Sequence, residues 1–405
     1  MLFQEKYQMQ KFLKTTAMSS LYFFVVYMYV PYFSPYLTTL GWSESLKGLF
    51  FATFSFMSIF AYTYAGILAD RIGRYKLLMI GLVIEAITLL GYVFFDNIPA
   101  LFILRIFSSM SNGAILISGQ ARINDDISNQ KRGRINGIFQ TSISIAAITA
   151  PLLGGFISDN YSFLRLFQIS SVGIIATILF VLFFDYFFYD DNHKHRIRSQ
   201  KESRQFNIIK QFKTILAYKE LRRAITSGIV VNIAIPLSTL VFPFIIIKQM
   251  GLSNSHLSIA IFLVAFAHIF QAFFGYMTER VGKGKGILFG SIFQAVCIIL
   301  MFFTTRYEIL LFLIFLRSIG TSIWNVSILG YISDVGEKYN IEGRVTGVFH
   351  SISRIFTTIS FIVTGFILAH ITHWIFFIYG AIALIGMLFI HKTFLKPPPN
   401  ENWET

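Results

Sequence analysis

Twelve stretches of this sequence stay apolar for about 20 residues, the length a helix needs to cross the roughly 30 Å hydrocarbon layer of a bilayer. They fall at 15–40, 46–67, 76–95, 99–121, 135–158, 163–185, 223–247, 256–276, 286–304, 309–332, 345–368 and 374–391. Only 13% of the 405 residues are charged and 55% are hydrophobic. A soluble domain carries about 25% charged residues, so this chain has too little charge to cover a water-facing surface. Several spans hold Gly or Pro, which membrane helices tolerate because neighbours satisfy the freed backbone groups. The expectation is an all-α integral membrane protein with twelve transmembrane helices.

The net charge of +14 would suggest nucleic acid as a partner of a soluble protein, so its position matters. With the N-terminus inside, 27 of the 34 Lys and Arg residues lie in inner segments. Four lie outside (Lys47, Arg165, Lys248 and Arg306), and Arg105, Arg317 and Arg354 lie within helices. Cytoplasmic loops of membrane proteins collect Lys and Arg. Both termini are therefore expected in the cytoplasm, with the basic loops against anionic headgroups of the cell membrane and no nucleic-acid partner. Residues 1–14 are polar, so no cleaved leader is expected, and the single Cys297 excludes an internal disulfide. The basic stretch 186–222 divides the chain into a six-helix bundle at 1–185 and another at 223–392, with a tail at 393–405.

The second half re-reads the first at an offset of about 210 residues. Gly41, Ser43 and Ser45 answer to Gly251, Ser253 and Ser255, each an outer turn followed by a Ser able to cap the next helix. Gly66, Asp70, Arg71, Gly73, Arg74 and Lys76 answer to Gly275, Glu279, Arg280, Gly282, Lys283 and Lys285. Gly81 and Glu85 answer to Gly290 and Gln294, and Arg105 answers to Arg317. Gly133, Arg134, Gly137 and Phe139 answer to Gly343, Arg344, Gly347 and Phe349. Two parallel six-helix repeats place a shared cavity between them near the bilayer midplane, which is transporter architecture.

The six-plus-six layout and the loop pattern Gly-x-x-x-Asp-Arg-x-Gly-Arg-x-Lys at 66–76 resemble the major facilitator superfamily over residues 15–391. The resemblance implies two pseudo-symmetric six-helix bundles that rock about a central site. It also implies an inner gate made by Gly66, Asp70, Arg71, Gly73 and Arg74, with Glu279 and Arg280 in the second copy. In similar proteins this Asp docks on the start of the eleventh helix, here near Arg344, and the arginines pair with acids at the inner end of helix four, here Asp125 and Asp126. Arg134 is the first-half counterpart of Arg344. Physically, Gly66 permits close helix packing, and a carboxylate at Asp70 suits the positive end of a facing helix.

Ionised groups deep in a membrane are rare and usually face a cavity or a partner. Arg105 lies about six residues inside the outer end of helix four, and either contacts an anionic group or snorkels to headgroups. Glu85 is the only carboxylate near the middle of any span. Burial disfavours the charged form of a carboxylate, which is how a proton carrier is made; coupling and polar packing both stay open for it. Counting from the inner helix ends puts Glu85 and Arg105 roughly 10 Å apart in depth, too far for a relaxed ion pair. His268, Arg317 and Arg354 join them as candidates for proton coupling or substrate contact. Further polar residues expected to line the cavity are Tyr27, Tyr36, Asn112, Gln140, Asn232, Gln271, Trp324 and Asn325. Ala150, Pro151, Gly154 and Gly155 resemble an element of the antiporter branch, in which Pro151 is expected to bend helix five. His370 and His373 have helical spacing but no third ligand, so no metal is expected.

The leading expectation is a monomeric, proton-coupled efflux transporter for a drug-like or metabolic solute, with no cofactor and the proton gradient as its energy source. The alternative is a proton-coupled importer of a sugar, nucleoside, peptide or siderophore. An integral-membrane enzyme is disfavoured, because the sequence holds no His-Glu-x-x-His, no Gly-x-Ser-x-Gly and no paired carboxylates within one inner-leaflet region.

Overall fold

In a computed structural model the described residues are 2–125, 132–187, 218–339, 342–371 and 374–394. Twelve long helices and no strand appear among them. Helix α1 runs Leu2–Tyr29, passes through a 3-10 turn at Val30–Tyr32 and resumes at Phe33–Thr39. In the first half it is followed by α2 (Glu44–Ile72), α3 (Arg74–Phe94), α4 (Ile98–Asp125), α5 (Arg132–Asn160) and α6 (Phe163–Phe187). The second half holds α7 (Lys219–Gln249), α8 (Asn254–Val281), α9 (Lys283–Phe302), α10 (Tyr307–Lys338), α11 (Glu342–His370) and α12 (Trp374–Phe394). Ten of these contain stretches long and apolar enough to cross a membrane, and α12 holds a shorter one at Trp374–Phe389.

The repeat is visible in the backbone. Gly41 and Gly251 turn with φ of +76° and +67°, and Gly73 and Gly282 with +94° and +103°. These angles are open to glycine and costly for other residues, so the same two turns are built the same way in each half. Helices α1 and α7 are also broken at matching places. A Pro opens the 3-10 turn of α1, and Pro236 and Pro243 precede π-helical turns at Leu237–Val241 and Phe244–Gln249, since proline cannot supply the helix hydrogen bond. Helix α5, in contrast, runs continuously through Pro151.

The halves meet through α2 on α11 and α5 on α8. At the end that carries the Gly41 turn they are closely packed. A Cβ on Gly48 would lie 2.6 Å from the Phe361 carbonyl oxygen and 2.8 Å from Gly365 Cα, and the rings of Phe51 and Phe361 stack at 5.6 Å. One hydrophobic core runs through both halves at this end, from Leu37 and Phe51 to Leu240 and Phe361. At the Gly73 end the cores are separate, one around Ala65, Leu77 and Ala114 and another around Leu221, Ile332 and Phe349. Among the described residues, a Cβ on Gly66 would meet nothing within 4 Å, so the close packing expected of it is not seen there. The halves touch at the Gly41 end and part toward the other.

Candidate proton site, transport pathway and gates

Glu85 is fully enclosed within the first bundle. Its Oε1 accepts a hydrogen bond of 2.5 Å from the Tyr29 hydroxyl on α1 and one of 3.4 Å from Ser108 on α4, while Oε2 has no protein partner. Arg105 stands one helical turn before Ser108. The depth inferred from the inner helix ends is thereby corrected. Helix α4 extends well past α3 at the Gly73 end, whereas from the other end Glu85 is nine residues before Phe94 and Arg105 seven after Ile98. The two groups share a level without forming an ion pair.

The Arg105 guanidinium does not reach headgroups. It is 3% exposed and sits among the rings of Phe54, Phe33, Phe50 and Phe51, at 4.4, 4.9, 5.0 and 5.4 Å. Ring faces attract a desolvated cation by about 2 kcal/mol or more, which offsets part of the cost of burying it. Its Nε and Nη1 have no protein partner. Buried groups left unbonded are uncommon in folded proteins, and Glu85 and Arg105 are therefore the candidate functional pair of the first bundle. The second half repeats the layout without the carboxylate. Gln294 Oε1 accepts from Thr321 at 2.8 Å, and Arg317 donates to the Ala234 carbonyl at 3.4 Å.

Other candidates gather near the middle of the helices where the halves face each other. Tyr62 donates to Asn112 Oδ1 (3.0 Å), and Asn112 Nδ2 donates to the Tyr22 hydroxyl (3.2 Å). The Arg354 guanidinium of α11 lies 5.6 Å over the Tyr62 ring. On α8, His268 occupies a 3-10 turn at Ala267–Phe270, with its Nδ1 3.2 Å from Gln271 and 3.4 Å from Ser322. Tyr27 is half-buried and stacks on Phe23, and Asn232 and Asn325 are half-buried. Two expected cavity residues are elsewhere. Tyr36 is buried against Phe163 and Phe167 near the Gly41 end, because the broken α1 turns it into its own bundle, and Trp324 is buried with its indole N–H on Ser227.

Two polar contacts join the halves at the Gly41 end. Asp159 at the end of α5 accepts backbone N–H bonds from Asn254 (2.9 Å) and Ser255 (2.7 Å), the first residues of α8. The expected capping Ser253 instead binds His256 at 2.9 Å, because Asp159 has taken the helix terminus; Ser43 does cap α2. One turn earlier, a Cβ on Gly155 would lie 2.9 Å from the Asn254 carbonyl. Near this contact Glu44 binds Lys47 at 2.8 Å in its own half and Lys248 at 3.4 Å in the other. Asp159, Glu44, Tyr29, Ser108 and Tyr62 were not among the candidates. The one available signal was spacing, since Gly155-x-x-x-Asp159 repeats Gly66-x-x-x-Asp70.

Of the loop motif at the Gly73 end, Arg71 is exposed and Arg74 half-buried. The side chains of Asp70, Asp125, Arg134, Gln140 and Arg344, and all of Asp126 and His373, lie outside the described residues. In the second copy, Glu279 and Arg280 are exposed, Arg280 lies 4.3 Å over Tyr276, and Lys283 pairs with Asp334 of α10 at 2.6 Å. The second copy holds a counterpart of the pairing expected of the first, with Lys283 in place of Arg74 and an acid of α10, Asp334, that sequence reasoning missed. Gly154 presses on α1, where a Cβ would overlap the Met28 carbonyl, and Tyr32 donates to the Pro151 carbonyl.

These two bundles of long apolar helices are those of a transporter that spans the membrane many times. The sequence matches the Major Facilitator Superfamily over residues 15–270 and again over 257–405, and the chain belongs to that family. Among curated relatives, the quinolone resistance protein NorA of Staphylococcus aureus is 21% identical over 337 residues, spanning 82% of this chain and 84% of NorA. The multidrug resistance protein MdtG of Escherichia fergusonii is 33% identical over 115 residues, 28% of each chain. The fold resembles a mutant form of the nucleoside transporter NupG (TM-score 0.80, 15% identity, 95% of this chain and 100% of NupG). It also resembles the peptide transporter POT in complex with sulfate (TM-score 0.74, 14% identity, 94% and 93%).

Proposed function

We propose that this chain is a monomeric, proton-coupled exporter of a small amphiphilic solute. The Gly73 end faces the cytoplasm together with both termini, as the distribution of Lys and Arg requires. The structure described is then open toward the cytoplasm and closed toward the outside. Glu85 is the proton carrier, and the observation that carries this reading is its carboxylate, with one oxygen held by Tyr29 and the other unbonded at membrane depth. A charge there is costly, and a proton on Oε2 removes that cost. Release of the proton restores the charge beside Arg105, whose cation is held in place by the phenylalanine rings.

The pocket is connected to the outer gate by direct contacts. Tyr29 is the last residue before the 3-10 turn of α1, and Tyr32 within that turn binds Pro151 on α5. Three residues on, Gly154 touches α1 and Gly155 touches α8, and Asp159 holds the α8 terminus. Protonation of Glu85 on Oε2 turns the bond from Tyr29 to Oε1 from a charge-assisted hydrogen bond into a weaker neutral one, and this biases the break in α1 and, through α5, the outer closure. The proline-glycine element on α5 and the resistance-protein relatives support export. An importer uses the same site and gates with the gradients reversed, and the nucleoside and peptide transporters of similar fold support that reading.

The test is uptake into inside-out vesicles holding the purified chain, with a panel of fluorescent amphiphiles and an imposed pH gradient. Accumulation that requires the gradient and collapses with a protonophore is expected. Equal accumulation with and without the gradient defeats the coupling.

A further inference from the structure

Away from the ends of the spans, the charged side chains are three arginines and one carboxylate. Of the 20 Asp and Glu residues, Glu85 alone lies near the middle of a span, and it is sealed inside the first bundle behind Tyr29 and Ser108. The cation of Arg354 has no such enclosure. It lies 12 residues from one end of α11 and 16 from the other, half-buried, and its guanidinium forms no ion pair or hydrogen bond among the described residues. It lies 5.6 Å over the Tyr62 ring. A half-buried arginine at mid-membrane without an acid is expensive and calls for an anion.

The position of Arg354 shows where that anion would arrive. Along the α2–α11 seam, Gly48 abuts Gly365, Phe51 stacks on Phe361, Ser55 donates to the Arg354 carbonyl at 3.3 Å, and Gly66 stands in open space. Arg354 is therefore at the point where the closed seam ends and the open vestibule begins. His350, one turn toward the open end on the same helix face, is exposed. Beside the guanidinium, Tyr62 continues to Asn112.

We infer that Arg354 is the substrate-binding cation and that the substrate is an organic anion with an aromatic or apolar body, its acid group on the guanidinium and its body beside Tyr62. This deepens the transporter reading and rests on it. An arginine presents two parallel donors to a carboxylate or sulfonate, whereas an organic cation would be repelled here and, among the described residues, would find no acid facing it at this depth.

Two dyes with one ring system and opposite charge supply the test: anionic fluorescein and cationic rhodamine 6G. Binding to the purified full chain is measured by fluorescence anisotropy, and transport is measured in vesicles. Fluorescein should bind and cross, and rhodamine 6G should do neither. Arg354→Gln should raise the Kd for fluorescein about tenfold or more, the loss of a charged hydrogen bond, with the melting temperature unchanged. Arg354→Lys should recover part of the affinity, which a purely structural role would not produce. Preference for rhodamine 6G, failure of fluorescein to bind, or wild-type affinity in Arg354→Gln overturns the assignment. Arg354-dependent binding without movement across vesicles supports the site and defeats the transporter reading. Transport of the cation that ignores Arg354 does the reverse.

Discussion

Asp159 is the contact whose loss should be most visible. Its carboxylate takes two backbone N–H groups at the positive end of α8, across the boundary between the halves. Asp159→Asn keeps the shape and one acceptor oxygen but removes the charge. A carboxylate at an exposed helix terminus is worth about 0.3–1 kcal/mol through the helix dipole. The second, charge-assisted hydrogen bond adds roughly 1 kcal/mol after the discount for solvent at this exposed site. The closed outer end should lose about 1–2 kcal/mol, a roughly 5- to 30-fold shift in its equilibrium with the open form. Spin labels at Tyr161→Cys and Phe303→Cys, both exposed turns of opposite halves at this end, report the opening in a Cys297→Ser background. Pulsed dipolar distances should show a longer population growing by that factor in Asp159→Asn, with folding intact. An unchanged distance distribution would refute the latch.

Further outcomes follow from the same contacts. Gly48→Ala places a Cβ 2.6 Å from a backbone oxygen that cannot move aside, so it should wedge α2 from α11 at a cost of about 1–3 kcal/mol; the same spin labels should show opening, and turnover should slow. Asp70→Asn, at the opposite gate, should shift the distances the other way, toward the structure described, while leaving substrate affinity intact. Phe54→Leu removes the ring nearest Arg105 and should destabilise the protein by about 1–2 kcal/mol in denaturant titration, with no such loss in Phe56→Leu, whose side chain is exposed.

The twelve spans, the duplication and the two helix-four-type arginines were legible in the sequence because each depends on local composition or on spacing along one chain. Glu85 stood out for the same reason, as an acid among apolar residues. Its partner Tyr29 did not, because the two are joined by a hydrogen bond between helices that the fold brings together across 56 residues. Asp159 was hidden more completely. Its acceptor role depends on a helix terminus 95 residues away in the other half, and on this end of the molecule being closed. The depth of Arg105 was misjudged because apolar runs do not reveal that α4 outlasts α3 at one end. The aromatic cage of Arg105 draws Phe33 from α1 and Phe50, Phe51 and Phe54 from α2, and phenylalanines are so common in the chain that no spacing marks those four.

The central assignment, a buried carboxylate that carries the proton for transport, is tested most directly by proton flux. Vesicles loaded with a pH-sensitive dye and holding either wild type or Glu85→Gln are given substrate without an imposed gradient. In wild type, substrate movement should drive protons in the opposite direction, seen as an internal pH change that a protonophore abolishes. In Glu85→Gln the substrate should still bind, and the pH change should vanish. A normal pH change in Glu85→Gln would contradict the assignment and leave Glu85 as a packing residue.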